Sequence, residues 1–179
     1  MEDISIKLSK GKILLILLGS VCFIALGLQF LSLDIETIKA QRKVNSPLIV
    51  YTVGLLTAGF SVLTFSAALR KLIDQKPGLV FVNDGILDNS SAVSAGLIRW
   101  EEIDSIHQIE VTSQKFLAIL VKDPKKYLSR GNLFQRFLNK QNAKLCGTPI
   151  TISSNTLQIK FEDLINVAQT QLRSRRSGA

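Results

Sequence analysis

The chain has few of the side chains that carry most catalytic and metal chemistry. Its 179 residues include one histidine, two cysteines and one methionine. A protein zinc site needs three or four ligands at recognisable spacing, and His107 has no such companions nearby in the sequence. The sequence also contains no glycine-rich phosphate loop and no nucleophile elbow. It therefore predicts no metal site, no cofactor and no enzyme.

The remaining candidates for chemistry are two cysteines and one acidic cluster. Cys22 lies in an apolar run and Cys146 in the polar part of the chain, so we expect both to be reduced rather than bridged. Glu101, Glu102 and Asp104 could in principle perform acid–base work. Neighbouring carboxylates in a turn more commonly bind backbone amides, and this interpretation is favoured here.

Charge is absent from two long stretches. Residues 13–33 and 44–69 hold no Asp, Glu, Lys, Arg or His, although the chain has 22 basic and 14 acidic residues. As a helix, the first run spans about 31 Å, which matches a hydrocarbon core of about 30 Å. Asn45 or Ser46 can cap the second helix, with Pro47 at its first position. The sequence predicts transmembrane helices over both runs, joined by a short external loop at 34–43.

Two other interpretations of these runs are weaker. A cleaved signal peptide would account for Lys7, Lys10 and Lys12 before the first run. Its apolar region would normally be shorter, however, and a second span follows at once. A buried helical hairpin of a soluble protein would normally show a polar stripe, which both runs lack.

The flanking cations predict the orientation. Six lysines and arginines lie outside the two spans and three in the loop between them: Lys7, Lys10, Lys12, Arg70, Lys71 and Lys76 against Lys39, Arg42 and Lys43. Cytoplasmic flanks carry the excess of such residues. We therefore expect residues 1–12 and the polar domain in the cytoplasm.

The spans have the composition of an anchor rather than a conduit. Neither contains the ionisable side chains that proton relays and ion pathways need. Gly54, Ala58 and Ser61 fall on one face of the second helix, a pattern that permits close helix packing. Since small residues are common in such helices, chance spacing is the alternative.

Residues 76–172 are predicted to form one small α+β domain. Short runs of strand formers around Asp84-Gly85 indicate an antiparallel hairpin, and residues 116–121 (FLAILV) suit a buried strand. Asp123-Pro124 predicts the start of an inserted helical segment. A stripe from Phe161 to Leu172 predicts a closing helix, and residues 173–179 a basic, disordered tail. The pattern contains no βαβ repeat, so the sheet should be antiparallel.

Several of these segments resemble a known family. They are Leu79–Leu87, Gly96–Ile103 with its Trp-Glu-Glu-Ile turn, Asp123–Tyr127 and Gly147–Ile150. Together with the hairpin and the closing helix, they resemble uncharacterised bacterial membrane proteins that pair a two-helix hairpin with a pleckstrin-homology-like (PH-like) domain. The resemblance implies an antiparallel PH-like β-sandwich or partly open barrel, plugged by the last helix, at the bacterial inner membrane. It implies no activity.

One basic segment stands out in the domain. Seven cations and a single acid, Asp123, lie between residues 122 and 144: Lys122, Lys125, Lys126, Arg130, Arg136, Lys140 and Lys144. Apolar residues at helical spacing are interleaved with them, including Leu133, Phe134, Phe137 and Leu138. Such a segment could contact anionic lipid headgroups or a partner protein, or it could be a solvated face over a helix packed through its apolar side. Nucleic-acid binding is disfavoured by the membrane tether.

These features predict a non-enzymatic, membrane-anchored interaction module. Its partners would be the lipid bilayer, anionic headgroups or another membrane protein at the cytoplasmic face. The alternative is an accessory subunit of a larger membrane complex, in which the hairpin forms the interaction surface.

Overall fold

The structure is a computed structural model that describes residues 3–41, 44 and 46–177. The chain divides into two compact units. Residues 10–74 form the unit called here the hairpin. The other unit, called the domain, combines the residues before the hairpin with those from Gln75 onward.

The hairpin consists of two long helices and one short one. Helix α1 spans Lys10–Ser32, α2 Ile35–Lys39 and α3 Pro47–Ile73. Both α1 and α3 are long and apolar enough to cross a membrane. Large apolar side chains point outward from them, as at Leu48 (77% exposed) and Phe60 (71%). Such exposure is unlike the core helices of a soluble protein, whose apolar faces are buried.

The ends of these helices differ in detail from the predicted spans. Helix α1 begins three residues before Ile13, and α3 continues past Leu69 so that Arg70 and Lys71 form its last turn. Cations are favourable there because helix carbonyls leave negative partial charge at the C-terminus. Ser46 occupies the N-cap position with Pro47 next, but its side chain makes no capping hydrogen bond. Asn45, Arg42 and Lys43 lie outside the described residues.

The domain begins before the hairpin, which the sequence analysis did not predict. Residues Ile4–Ile6 form strand β1, which pairs antiparallel with β2, Leu79–Val82. Beyond β1, Leu8 bridges to Leu157, and the Ser9 amide donates to the Thr156 carbonyl at 2.7 Å. The predicted domain boundary of 76–172 was therefore incomplete. The hairpin is inserted between the first two strands of the domain.

Two antiparallel sheets make up the β structure. The first has the order β1-β2-β3-β4, with β3 at Gly85–Asp88 and β4 at Gly96–Arg99. The predicted hairpin is present, but its turn is Asn83-Asp84, and Gly85 already pairs with Val82. A Cβ on Gly85 would come 2.1 Å from the Ile98 carbonyl oxygen, so this close approach of β4 requires glycine.

The second sheet has the order β5-β6-β7. Strand β5 spans Ile103–Val111, β6 Gln114–Val121 and β7 Ile150–Ile152. His107 lies in β5 opposite Ala118. The sheets do not close into a barrel. Aliphatic side chains from both sheets and the last helix are fully buried and form the core: Leu79, Ile86, Ile98, Leu117, Ile119, Ile152, Leu157 and Leu164.

Three helices complete the domain. The segment between β6 and β7, called here the insert, contains α4 at Pro124–Leu128 and α5 at Leu133–Cys146. Helix α6, Phe161–Ser177, packs on β5 and β6. An α+β domain with an inserted helical segment and a closing helix is therefore confirmed.

The closing helix is longer than predicted. Residues 173–177, expected to be disordered tail, continue α6. The Arg175 guanidinium donates to the Asn83 side chain at 3.1 Å, and Arg176 donates to the Asp104 carbonyl. These contacts hold the last turns of α6 against the domain. The basic composition of this segment predicted disorder because it does not show such contacts.

Candidate functional site

The insert is fastened to the domain through Glu102. Lys126 forms an ion pair with this carboxylate, and the Tyr127 hydroxyl donates to its other oxygen. The hydrogen bond from Lys126, followed by that from Tyr127, lowers the pKa of Glu102. Burial and the neighbouring carboxylate raise the pKa of Tyr127 above its usual range. Glu102 thus has a structural role, and Glu101 instead lies 3.5 Å from Arg99.

Arg130 makes a second set of contacts between the insert and the rest of the domain. Its guanidinium lies 4.2 Å from the centre of the Tyr127 ring. It also donates to the carbonyls of Ala95 at 3.0 Å and Leu97 at 3.2 Å. Beside it is a cavity of about 30 Å³, which has room for about one water molecule. Two of the seven predicted surface cations, Lys126 and Arg130, therefore hold the insert in place.

Helix α5 has well-defined ends. Asn132 and Gln135 form a reciprocal capping box, with hydrogen bonds of 2.9 and 3.0 Å. Gly147 ends the helix in the left-handed conformation that favours glycine, at φ 72°. The orientation of α5 on the domain is therefore fixed by local sequence as well as by its contacts.

The inward side of α5 is polar. Asn139 is buried, and its amide donates to the Tyr127 carbonyl at 3.2 Å. The Gln135 amide donates to the Ala92 carbonyl at 3.0 Å. Buried amides need such partners, since an unpaired one would cost about 1–3 kcal/mol. The helix thus uses hydrogen-bonding side chains, and not its largest apolar ones, on the side that faces the domain.

The outward side of α5 carries the large apolar residues. Leu133 is 84% exposed and Leu145 70%, and Phe134 and Phe137 are each at least half exposed. At about 100° per residue, these four side chains occupy an arc of roughly 120°. Leu138 alone is half-buried. The sequence-based alternative of a helix packed through Leu133, Phe134 and Phe137 is therefore wrong.

Cations lie along one edge of this apolar arc, with Arg136 and Lys140 outside it and Lys144 just inside that edge. Arg136, Lys140 and Lys144 are exposed, and α5 contains no acidic residue. The Arg136 Nε donates to the Gly131 carbonyl at 3.0 Å, which leaves the other guanidinium nitrogens outward. Lys122 and Lys125 are exposed at the start of the insert. Within the described residues, none of these five cations forms an ion pair. The apolar arc of α5 and its cationic edge are called the outward face below.

The predicted small residues of the second span lie at the crossing of α1 and α3. A Cβ on Gly54 would come 3.0 Å from the Gly27 carbonyl oxygen, and one on Gly27 would come 2.8 Å from the Ala58 nitrogen. Ser61 is buried further along the same helix. Small residues let two helix backbones approach closely in lipid. Gly27 of α1 completes this contact and was not predicted, because spacing within one helix does not show which residue of the other helix it meets.

No metal site is found among the described residues, in which no three His, Cys, Asp or Glu side chains converge. No family profile, no curated protein and no solved structure matches this chain. The geometry of the insert and the hairpin is therefore the basis for assigning a role.

Proposed function

We propose that this protein is a non-enzymatic interaction module, anchored by two spans in the inner membrane, whose PH-like domain works at the cytoplasmic face through the outward face of α5. Two antiparallel sheets of consecutive strands and a closing helix support the PH-like interpretation. The single observation that carries the interaction role is a helix that buries Asn139 and exposes Leu133, Phe134, Phe137 and Leu145.

Strand β1 supports the two-span topology. It precedes α1, yet it pairs with β2, which follows α3. Both segments belong to one folded domain, so they must lie on the same side of any membrane. A chain that leaves and returns to one side crosses an even number of times, as a two-span hairpin does.

The distribution of charge supports the cytoplasmic side. The open end of the hairpin carries Lys10, Lys12, Arg70 and Lys71. The Lys10 ammonium donates to the Lys71 and Leu72 carbonyls at 3.0 and 2.7 Å, so it also neutralises the C-terminus of α3. The other end of the hairpin begins with Asp34, which caps α2 through the Thr37 amide at 2.7 Å. Positive charge beside the domain favours a cytoplasmic location.

Cysteine mapping tests this topology. In a background with Cys22→Ala and Cys146→Ala, single cysteines replace Glu36, between the spans, or Asn155, in the domain. A membrane-impermeant maleimide should label Glu36→Cys in intact cells, and Asn155→Cys only after permeabilisation. Both positions are exposed, and neither substitution removes a lysine or arginine. Labelling of Asn155→Cys in intact cells would contradict the cytoplasmic assignment.

A second candidate function is an accessory subunit that binds a membrane partner through the hairpin. A groove between α1 and α3 favours it, because small and hydroxyl residues suit helix docking. It is lined by Gly19, Ser20, Thr57, Ser61 and Thr64 together with the apolar Ile16, Phe23 and Phe60. Exchange of the hairpin for an unrelated two-span hairpin separates the candidates. Cross-linked partners should be retained if the domain is the binding surface, and lost if the groove is.

A further inference from the structure

We infer that helix α5 is an interfacial membrane helix, which lies in the headgroup layer of an anionic leaflet with Leu133, Phe134, Phe137 and Leu145 toward the acyl chains. This inference rests on the proposed function and names the ligand of its outward face. It assigns the apolar residues, rather than the cations alone, to membrane contact.

The first argument is the division of the helix surface. The side-chain amides of Gln135 and Asn139 face the domain, where they donate to the Ala92 and Tyr127 carbonyls. A soluble domain would normally place its phenylalanines on that inward side. Here Phe134 and Phe137 are each at least half exposed, and Leu145, which is 70% exposed, extends the same arc to the last turn of the helix. An interfacial helix needs this arrangement, with an apolar side for lipid and a polar side for protein or water.

The second argument is charge complementarity. Arg136, Lys140 and Lys144 border the arc, Lys122 and Lys125 lie in the same insert, and α5 has no acid to offset them. Each cation close to an anionic surface favours binding by about fivefold. The three bordering cations together should favour the bound helix by on the order of a hundredfold. A neutral apolar partner would leave this charge without a counterpart.

The third argument is the tether. The domain joins the spans at two points, between Ser9 and Lys10 and between Asp74 and Gln75. The chain therefore tethers α5 to the bilayer through both connections, which makes the contact intramolecular and raises its effective concentration. A soluble protein partner would have to compete for α5 with the membrane to which the domain is permanently tethered.

The contacts that attach the insert to the domain leave only the outward face of α5 available to the membrane. Glu102 holds α4 through Lys126 and Tyr127, and Arg130 holds it to the β4 segment. The capping box and Gly147 then define α5 as a helix of 14 residues without help from lipid. A preformed helix does not have to fold on binding, so little ordering entropy opposes the contact.

The test uses the full chain in lipid nanodiscs. An environment-sensitive fluorophore is attached to Phe137→Cys in the background with Cys22→Ala and Cys146→Ala. In discs rich in phosphatidylglycerol we expect a blue-shifted emission that brominated acyl chains quench. In pure phosphatidylcholine discs, or at high salt, both effects should fall, because exposed charges are screened within about 10 Å at 0.1 M. The same fluorophore on Asn155→Cys should stay in water throughout.

Matched charge variants sharpen the test. Replacing Arg136, Lys140 and Lys144 with glutamine should reduce the ratio of bound to free helix by on the order of a hundredfold. Replacing Arg99, Lys115 and Lys160 removes the same charge from exposed positions outside the insert and should leave the ratio unchanged.

Two outcomes would overturn the inference. An aqueous emission at Phe137→Cys in both lipids would show that lipid does not cover the outward face. Equal quenching in both lipids would contradict the requirement for anionic headgroups. Neither result would change the outcome of the cysteine mapping or the hairpin exchange. The proposed function would then hold with a protein as the partner of α5.

Discussion

Helices α5 and α6 both belong to the domain, both are amphipathic, and they use their two sides in opposite ways. Helix α6 buries Phe161, Leu164, Ala168 and Leu172 against the second sheet. Helix α5 buries Asn139 and exposes Leu133 and Phe137. Helical spacing of apolar residues therefore identifies a two-sided helix, but it does not say which side faces the domain.

The neighbours of each helix explain the difference. Strands β5 and β6 offer α6 an apolar surface, including fully buried Leu117 and Ile119. The site under α5 offers carbonyl groups, at Ala92 and Tyr127, that accept from the Gln135 and Asn139 amides. The buried Asn139 amide needs such an acceptor, because a buried amide without a partner costs free energy. The side of α5 that is buried is thus decided by long-range partners.

The stability of α5 and α6 variants can be measured in water only if the domain folds without its hairpin. Whether it does so depends on strand β1. A fragment of residues 76–179 should be destabilised by about 3–6 kcal/mol, since it loses buried Ile6 and Leu8 and exposes their partners. That is a large part of a typical stability of 5–15 kcal/mol. A protein that joins residues 1–9 to 75–179 through a flexible linker should unfold cooperatively, as measured by circular dichroism. Equal stability of the two proteins would mean that β1 is dispensable.

The two helices should respond very differently to loss of a leucine. Leu164→Ala in α6 should lower the free energy of unfolding by about 2–5 kcal/mol, because it leaves a cavity in the core. Leu133→Ala in α5, at the most exposed leucine of that helix, should change it by less than about 0.5 kcal/mol. Denaturation can be followed through Trp100, which stacks on Phe81. A similar loss in both variants would remove the distinction between the helices.

The attachment of the insert should depend on Glu102 and on pH. Glu102→Gln should cost about 1–2 kcal/mol, because it removes charge-assisted hydrogen bonds from Lys126 and Tyr127. The pKa of Glu102 is lowered in the folded state, so its contribution is complete above the ordinary value of 4.5 and is lost as pH falls through the folded value. Denaturation midpoints of the variant should therefore lack this part of the acid dependence.

Glu101→Gln is the matched control for that measurement. Its side chain is 72% exposed, and among the described residues its ion pair is with Arg99, at 3.5 Å. Exposed pairs of this kind contribute about 0–1 kcal/mol. An equal effect of the two glutamine variants at neutral pH would show that the fastening through Glu102 has no special strength.

The smallest expected effect separates two neighbouring lysines. Lys126→Gln should reduce stability by about 0.2–1 kcal/mol, since it removes a partly exposed ion pair. Lys125→Gln should leave stability unchanged, because Lys125 is exposed and forms no ion pair among the described residues. Thermal unfolding of the two variants side by side measures the difference. A larger loss of stability for Lys125→Gln than for Lys126→Gln would show that Lys125, and not Lys126, attaches the insert to the domain.

Much of the architecture could be predicted from local pattern. Long uncharged runs predicted α1 and α3, and the stripe from Phe161 predicted α6. Asp123-Pro124 predicted α4 because a capping side chain and a fixed φ act within a few residues. Strand β1 was missed since its partner, β2, is more than seventy residues away and Ile4–Ile6 is too short to show a period.

The candidate site was predictable in composition but not in arrangement. The sequence singled out all seven cations, yet it could not show that Lys126 and Arg130 are tied to Glu102, Ala95 and Leu97. Those contacts join segments about 25 to 35 residues apart. The exposure of Phe134 and Phe137 depends on the same long-range contacts, so periodicity alone left the buried side of α5 open.

The most direct test of the central claim is a spin-label scan along α5 in the full chain, reconstituted in anionic proteoliposomes. The exposure of each label to apolar oxygen and to a polar nickel complex reports whether it lies in lipid or in water. We expect labels at Leu133, Phe134, Phe137 and Leu145 to lie in lipid, and a label at Asn155 to lie in water. Labels on the arc that are as accessible to nickel as the one at Asn155 would contradict this expectation.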